Sequence, residues 1–128
     1  MPDGGLSRIH QISMRAHDID RAVGFYRDVL GVPFLFAAPP GLAFFDCAGV
    51  RLMLSRPEPG FDHPGSVLYF AVDDIHQARA ALAARGVVFR TEPHKIATLK
   101  DREVWLADFK DSEDNILALM SEPGISGI

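Results

Sequence analysis

The sequence has little cysteine, no pattern of a secretory signal at its start and no long apolar run. Its one cysteine is Cys47, so no disulfide can form within the chain, whereas small secreted domains usually depend on several. The first residues, MPDGGLSR, contain neither the basic stretch nor the apolar stretch of a secretory signal. No apolar run approaches the ~20 residues that a membrane-spanning helix needs. These absences favour a protein of the reducing cytoplasm.

Neither positive nor negative charge dominates the sequence. The chain has 13 Lys and Arg residues against 17 Asp and Glu residues, a formal net charge of -4, and neither sign forms runs. Proteins that bind nucleic acid or anionic membranes normally present a basic patch, which this balance does not favour. We therefore expect a small organic molecule as the partner, and neither nucleic acid nor a membrane. A chain of 128 residues can bury a proper core, so residues 1–128 are predicted to form one domain.

The clearest local pattern is a strand, a helix and a turn between Gln11 and Phe34. Polar and apolar residues alternate over residues 11–16, which predicts a half-buried strand. Asp18 is a typical helix cap, and apolar residues follow it at helical spacing. Gly31 is expected to end this helix, because glycine readily adopts the conformation that closes a helix.

The same pattern occurs again later in the chain. The segment VLYFAVDDI, residues 67–75, superimposes on residues 11–19 at an offset of about 56, and Phe89 then matches Phe34 after a deletion of one residue. Such self-similarity indicates one supersecondary unit used twice. Together with the remaining strand patterns it predicts two βαβββ modules, residues 7–57 and 65–122, joined by a connector rich in Pro and Gly.

The predicted elements of the two modules follow from alternation, capping and turn residues. The first module has predicted strands at 11–16, 32–37, 42–47 and 50–55 and a helix from Asp18 to Leu30. The second has predicted strands at 67–72, 87–90, 103–109 and 115–121 and a helix at 74–85 capped by Asp74. Residues 91–102 have no counterpart in the first module and are predicted to form a mobile flap.

Three segments carry a resemblance to a known group of proteins. DIDRAVGFYRDVLGVPF, VDDIHQARAALAARGVVF and FKDSEDNILALMSE resemble the repeated signatures of the vicinal oxygen chelate superfamily, over residues 8–122. This group includes glyoxalase I, bleomycin-resistance proteins, fosfomycin-resistance proteins and extradiol dioxygenases. The resemblance implies an α+β fold in which two βαβββ modules form an eight-stranded curved sheet, with a ligand on its concave face, called the cup below. It also implies a homodimer.

The resemblance also implies where a metal would bind. Metal-dependent members place their ligands in the cup, on the first and fourth strands of each module. The internal repeat puts the corresponding positions at Gln11, Leu52, Val67 and Ala118. Only the Gln11 amide could bind a metal, whereas zinc, nickel and iron sites need several imidazole or carboxylate ligands. We therefore predict no metal and no other cofactor.

Strand alternation, fixed by the same positions, predicts which residues face the cup. They are Gln11, Ser13, Arg15, Leu52, Leu54, Val67, Tyr69, Ala118 and Met120, joined by Val104, Leu106 and Asp108 if Phe109 belongs to the core. A lining of Leu, Val, Tyr and Met with a few polar groups suits an organic ligand. Asp108 is either a carboxylate that faces the ligand or the ion-pair partner of Arg15.

A further set of polar residues lies in and after the extra segment 91–102. None of the histidines has the spacing of a metal-ligand pair, but His94 lies within this segment and Glu103 follows it. Both are candidate ligand-binding residues and could serve as a general acid and base. The alternative for His94 is a role at the surface or in a turn.

Two functions are therefore open. The first is a metal-independent protein that binds a hydrophobic or aromatic small molecule in the cup. The second is an enzyme of glyoxalase, epimerase or dioxygenase type whose catalytic groups have moved, or which holds a metal through His94, Glu103 and Asp108. The sequence assigns no catalytic residue.

Overall fold

A computed structural model describes residues 6–60 and 62–124 of the chain. Residues 1–5, the first part of the MPDGGLSR stretch that was examined for a secretory signal, lie outside the described residues. The first module contains β1 (Gln11–Arg15), α1 (Ile19–Gly24), a π-helical turn (Phe25–Val29), β2 (Phe34–Ala38), β3 (Leu42–Cys47) and β4 (Val50–Ser55). The second contains β5 (Leu68–Ala71), α2 (Ile75–Ala84), β6 (His94–Thr98), β7 (Glu103–Lys110) and β8 (Ile116–Ser121).

Each module folds its strands into one mixed sheet. The strand order is β1-β4-β3-β2 in the first module and β5-β8-β7-β6 in the second. The first and last strands of each module pair in parallel, and the other pairs are antiparallel. The predicted α+β fold of two βαβββ modules is therefore confirmed, with the strands arranged as two 4-stranded sheets.

Both helices begin where the sequence predicts. The Asp18 side chain accepts a hydrogen bond from the backbone N–H of Arg21, and Asp74 accepts one from the N–H of Gln77, each at 3.0 Å. After α2 the chain turns through Gly86 at a φ of 98°, a left-handed conformation that glycine adopts at little cost. Within the part of the chain that the structure describes, no helix has the length and apolar character needed to cross a membrane.

The second strand of the second module begins later than predicted. The prediction of a strand at 87–90 is wrong, because the described pairing there is an isolated bridge between Phe89 and Phe109. The strand itself, β6, begins after Pro93, which has no N–H to donate to a ladder. It pairs with β7 over His94–Thr98, so this part of the segment predicted to be a flap is a strand, and the prediction is wrong there.

The core lies between each sheet and its helix. Its largest fully buried side chains are Tyr26, Phe45, Phe109, Met14, Leu52, Leu54 and Leu117. The prediction that Leu52 and Leu54 face the cup is therefore wrong. Leu54 pairs in register with Met14 on β1, and both side chains point toward the helix side of the sheet.

The error comes from a shift of one residue in the alignment of the two modules. Met53 pairs with Ser13 on β1, and Ala118 pairs with Tyr69 on β5. Because Ser13 and Tyr69 are repeat partners, Met53 is the counterpart of Ala118. Leu52, as the neighbour of Met53, points to the opposite face of the pleated sheet.

The turn between β7 and β8 joins the second module to the first. The hydroxyl of Tyr26 donates a hydrogen bond to Asp111 Oδ2 at 2.6 Å, and both residues are buried. Glu113 accepts hydrogen bonds from the backbone N–H groups just before α1. Asn115 Nδ2 donates to the carbonyl oxygen of the last residue of β1 at 2.9 Å. Tyr26, Asp111, Glu113 and Asn115 are called the interlock below.

Candidate ligand-binding grooves

An open groove of about 350 Å³ lies on the face of the first sheet that points away from α1. Strands β1, β3 and β4 and the connector line it with Ser13, Arg15, Leu42, Met53, Ser55, Arg56, Pro57, Glu58, His63 and Gly65. We call it the first groove. Ser13 and Arg15 therefore face the groove as predicted, whereas no sequence pattern indicated the contribution of the connector.

Arg15 does not pair with Asp108, which was one of the two alternatives. Its Nη1 donates to Asp62 Oδ1 at 2.8 Å, and Asp62 belongs to the connector. His17 Nε2 lies 3.6 Å from the same oxygen. The end of β1 is thus tied to the connector by side-chain contacts.

Gln11 lies at the other end of β1, outside the lining of the first groove. Its amide oxygen accepts a hydrogen bond from Arg51 Nε at 2.7 Å. Its amide nitrogen lies 3.7 Å from the sulfur of Met53. Both polar atoms of the amide therefore have partners within the protein.

An aromatic pair extends this face of the first sheet toward its edge. Phe44 and Phe36 pack with their ring centres 4.7 Å apart, and the Arg51 guanidinium lies 5.2 Å from the centre of Phe44. Sequence reasoning missed both rings. The alternation of β3 could have found Phe44, because its neighbour Phe45 is buried in the core.

A second groove, of about 400 Å³, lies on the corresponding face of the second sheet. Its lining consists of Val67, Tyr69, Arg90, Thr91, His94, Leu106, Asp108, Ile116 and Ala118. Among these, Val67, Tyr69, His94, Leu106, Asp108 and Ala118 were predicted from the sequence. Met120 pairs with Leu106 beside this groove but is not part of its lining.

Asp108 is held by two neighbours that sequence reasoning missed. Arg90 Nη1 donates to Asp108 Oδ2 at 3.0 Å, and Thr91 Oγ1 donates to Asp108 Oδ1 at 2.7 Å. Both oxygens of the carboxylate therefore already have donors. Arg90 and Thr91 were missed because they belong to the stretch that was assigned to a wrong strand and to a flap.

His94 and Glu103 do not meet in one site. His94 lines the second groove, and its Nδ1 lies 2.8 Å from the carbonyl oxygen of Glu92. Because a carbonyl oxygen can only accept, Nδ1 carries the proton, and Nε2 is the acceptor nitrogen of the neutral ring. Glu103 lies on the other face of β7, where it accepts a hydrogen bond from Trp105 Nε1 at 3.0 Å.

The hypothesis that His94, Glu103 and Asp108 act together is therefore wrong. Successive side chains of a strand point to opposite faces, so Glu103 and Asp108, which are five positions apart on β7, cannot share one face. Among the residues that the structure describes, no group of 3 or more His, Cys, Asp and Glu side chains could hold a metal ion.

The fold has counterparts among known proteins, although no curated protein matches the sequence. Lactoylglutathione lyase from Agrobacterium tumefaciens has a similar structure, with a TM-score of 0.74, 22% identity and coverage of 91% of this chain and 95% of that chain. TnmS3, an antibiotic binding protein from a Streptomyces species, gives a TM-score of 0.72, 23% identity and coverage of 92% and 98%. In sequence, residues 8–122 match the model of the Glyoxalase/Bleomycin resistance protein/Dioxygenase superfamily. The chain belongs to this superfamily, the group that its repeated segments resemble.

Proposed function

We propose that the second groove binds a small hydrophobic or aromatic molecule. The observation that carries this proposal is the exposed apolar lining of the groove. Val67 and Tyr69 are 41% and 53% exposed, and hydrocarbon from β7 and β8 lies beside them. Concave surfaces with apolar walls and a few polar groups are typical of small-molecule sites. TnmS3, which has a similar fold, is an antibiotic binding protein.

An uncharged fluorescent probe, phenylnaphthylamine, tests this proposal by its increase in emission on entering an apolar site. Val67→Asp puts a carboxylate in the lining, and we expect it to weaken binding at least about tenfold, because burying a charge without a partner is costly. Val88→Asp is the matched control, since Val88 is 78% exposed and lies outside the groove. Equal affinities of the two variants, or no response from the wild type, would contradict the proposal.

We further propose that this binding needs no metal at the position used by metal-dependent relatives. With the corrected register, the side chains at that position are Gln11, Met53, Val67 and Ala118. Val67 and Ala118 are hydrocarbons, and Met53 offers a thioether, which is a weak acceptor. The Gln11 oxygen already accepts from Arg51, whose positive charge would repel a divalent ion. This donor set does not suit zinc, nickel or iron.

Isothermal titration with zinc, nickel, cobalt and ferrous ions tests the metal proposal. We expect no binding at micromolar concentration by the wild type. Gln11→Ala is the comparison variant, because it removes the amide at this position. Micromolar or tighter binding that Gln11→Ala abolishes would show that the metal proposal is wrong.

A second candidate function, an enzyme of glyoxalase, epimerase or dioxygenase type, is supported by His94. This residue lines the second groove, and its Nε2 is the nitrogen that can accept a proton from a substrate. Metal analysis of protein purified without chelator or nickel column would separate the two candidates. A stoichiometric transition metal that is lost in His94→Ala would favour the enzyme, and a trapped organic molecule without metal would favour the binding protein.

We also propose that the chain forms a homodimer. The edge strands expose large apolar side chains, because Leu35 and Phe36 on β2 and Ile96 on β6 are each 49% exposed. A second copy could cover this surface and remove it from water. Sedimentation equilibrium at micromolar concentration should give twice the 14.0 kDa mass of the chain, and a single species of 14.0 kDa would contradict the proposal. The cytoplasmic location and the absence of a nucleic-acid partner remain predictions from composition.

A further inference from the structure

We propose that the first groove is a separate binding site for the carboxylate of a small molecule, with Arg15 as the anchor and the Asp62 carboxylate as a resident competitor. The lining of this groove carries two guanidinium groups, Arg15 and Arg56, and one carboxylate, Glu58. With Asp62 on Arg15 the two signs balance, so the groove gains the positive excess that favours an anion when Asp62 leaves Arg15. Because the site lies on the first module, the inference does not depend on the function proposed for the second groove.

The place of Arg15 at the end of β1 makes it a suitable anchor. Its side chain is 30% exposed and lines the groove, so the strand holds the guanidinium within reach of a ligand. In the described chain its side chain donates a single hydrogen bond, from Nη1 to Asp62 at 2.8 Å. A guanidinium can bind a carboxylate in bidentate fashion, so donors remain for a second, better aligned acceptor.

Two serine hydroxyls lie beside the anchor. Ser55 pairs in register with Arg15 on the neighbouring strand, and Ser55 Oγ lies 3.4 Å from Ser13 Oγ. A contact of this length is weak, so either hydroxyl can turn and donate to a ligand. His63, from the connector, adds a further polar group to the lining.

Asp62 indicates which chemical group Arg15 can bind. It is itself a carboxylate, its side chain is 45% exposed, and it belongs to the connector rather than to a strand. Exposed ion pairs stabilise weakly, so a carboxylate from solution can replace Asp62 on Arg15. Leu42 and Met53 in the same lining supply hydrocarbon contact for a short carbon chain. We therefore assign the first groove to small aliphatic carboxylates.

Propionate is the probe for this site, and propionamide is its uncharged match. Each is added at low ionic strength, because salt screens exposed charges. Binding is followed by the backbone amide NMR signals of Ser13 and Ser55. Asp62→Asn removes the competitor and should lower the Kd for propionate about two- to fivefold, the range expected for an exposed ion pair. Asp101→Asn, which breaks the exposed pair with Arg102 elsewhere on the surface, is the matched control and should leave the Kd unchanged.

Arg15→Gln removes the positive charge and should raise the Kd at least about tenfold, because hydrogen bonds to charged groups are the strong ones. The proposal is overturned if propionate and propionamide act alike, if neither the wild type nor Asp62→Asn responds, or if Asp62→Asn and Asp101→Asn give the same Kd. Equal binding by Arg15→Gln and the wild type would overturn it as well. If Arg15→Gln fails to fold, the comparison of Asp62→Asn with Asp101→Asn and of propionate with propionamide still tests the proposal. Phenylnaphthylamine carries no charge, so the two grooves are tested independently.

Discussion

Replacing Tyr26 with Phe should remove one hydrogen bond from the interlock and lower the free energy of unfolding. The Tyr26 side chain is 0% exposed, and its hydroxyl donates to the Asp111 carboxylate at 2.6 Å. A hydrogen bond to a charged group contributes about 1.5–3 kcal/mol to stability. The lower part of that range applies here, because the N–H groups of Glu113 and Asn115 still donate to Asp111 at 2.8 Å. We therefore expect a loss of about 1.5–2 kcal/mol.

Equilibrium unfolding in urea, followed by circular dichroism, measures this loss as a change in midpoint at constant slope. Tyr69→Phe is the matched control, because it deletes the same oxygen from a ring that is 53% exposed. Surface changes of this kind usually stay within about 0.5 kcal/mol of the wild type. A loss for Tyr26→Phe no larger than the loss for Tyr69→Phe would refute the reasoning. Asp111→Ala should cost more than Tyr26→Phe, because it leaves the hydroxyl and several N–H groups buried without an acceptor.

Other changes test other parts of the structure. Burial alone would raise the pKa of Glu113, but hydrogen bonds from Arg21 and the backbone before α1 outweigh it and hold the pKa of this carboxyl below its ordinary value. The stability advantage of the wild type over Glu113→Gln should therefore be complete above about pH 5 and disappear as the pH falls through the lowered pKa, as unfolding measured across that range would show. Gly86→Ala should cost about 1 kcal/mol in urea unfolding, because φ is 98° with open space around the position, and no loss would contradict this. Leu52→Ala should cost about 2–5 kcal/mol in the same assay and Met53→Ala clearly less, because Leu52 is buried in the core. The reverse order would indicate that Met53 faces the core and Leu52 the cup, as the sequence alignment of the two modules predicted.

Parts of the fold with a local signal in the sequence could be predicted. The caps at Asp18 and Asp74 depend on side chains that act within their own helical turn, and both are present. Residues 42–47 and 50–55 are mainly apolar and flank the short turn at Ala48 and Gly49, and the bounds of β3 and β4 agree with the predicted strands. Strand β6 had no such signal, because HKIAT is polar and largely exposed, and its partner β7 is known only once the sheet has formed.

The grooves could be predicted only in part, because strand patterns specify faces and not partners. Tyr69 and Ala118 were placed on the correct face because the internal repeat and the family resemblance located the corresponding positions of β5 and β8 correctly. Leu52 was placed on the wrong face, since a shift of one residue inverts every side chain of a strand. The contact of Arg15 with Asp62 could not be foreseen, because the connector has no periodicity and its path depends on both modules.

The interlock has a consequence for how the chain folds. Its bonds join residues that are 85 to 100 positions apart in sequence, so they form only after a long loop has closed. Contacts of such range slow folding, whereas those within a helix form early. Because the N–H groups before α1 find their acceptor in the turn between β7 and β8, the first module alone lacks the partner that its helix needs. We therefore expect a chain built by repetition to fold and unfold as a single cooperative unit.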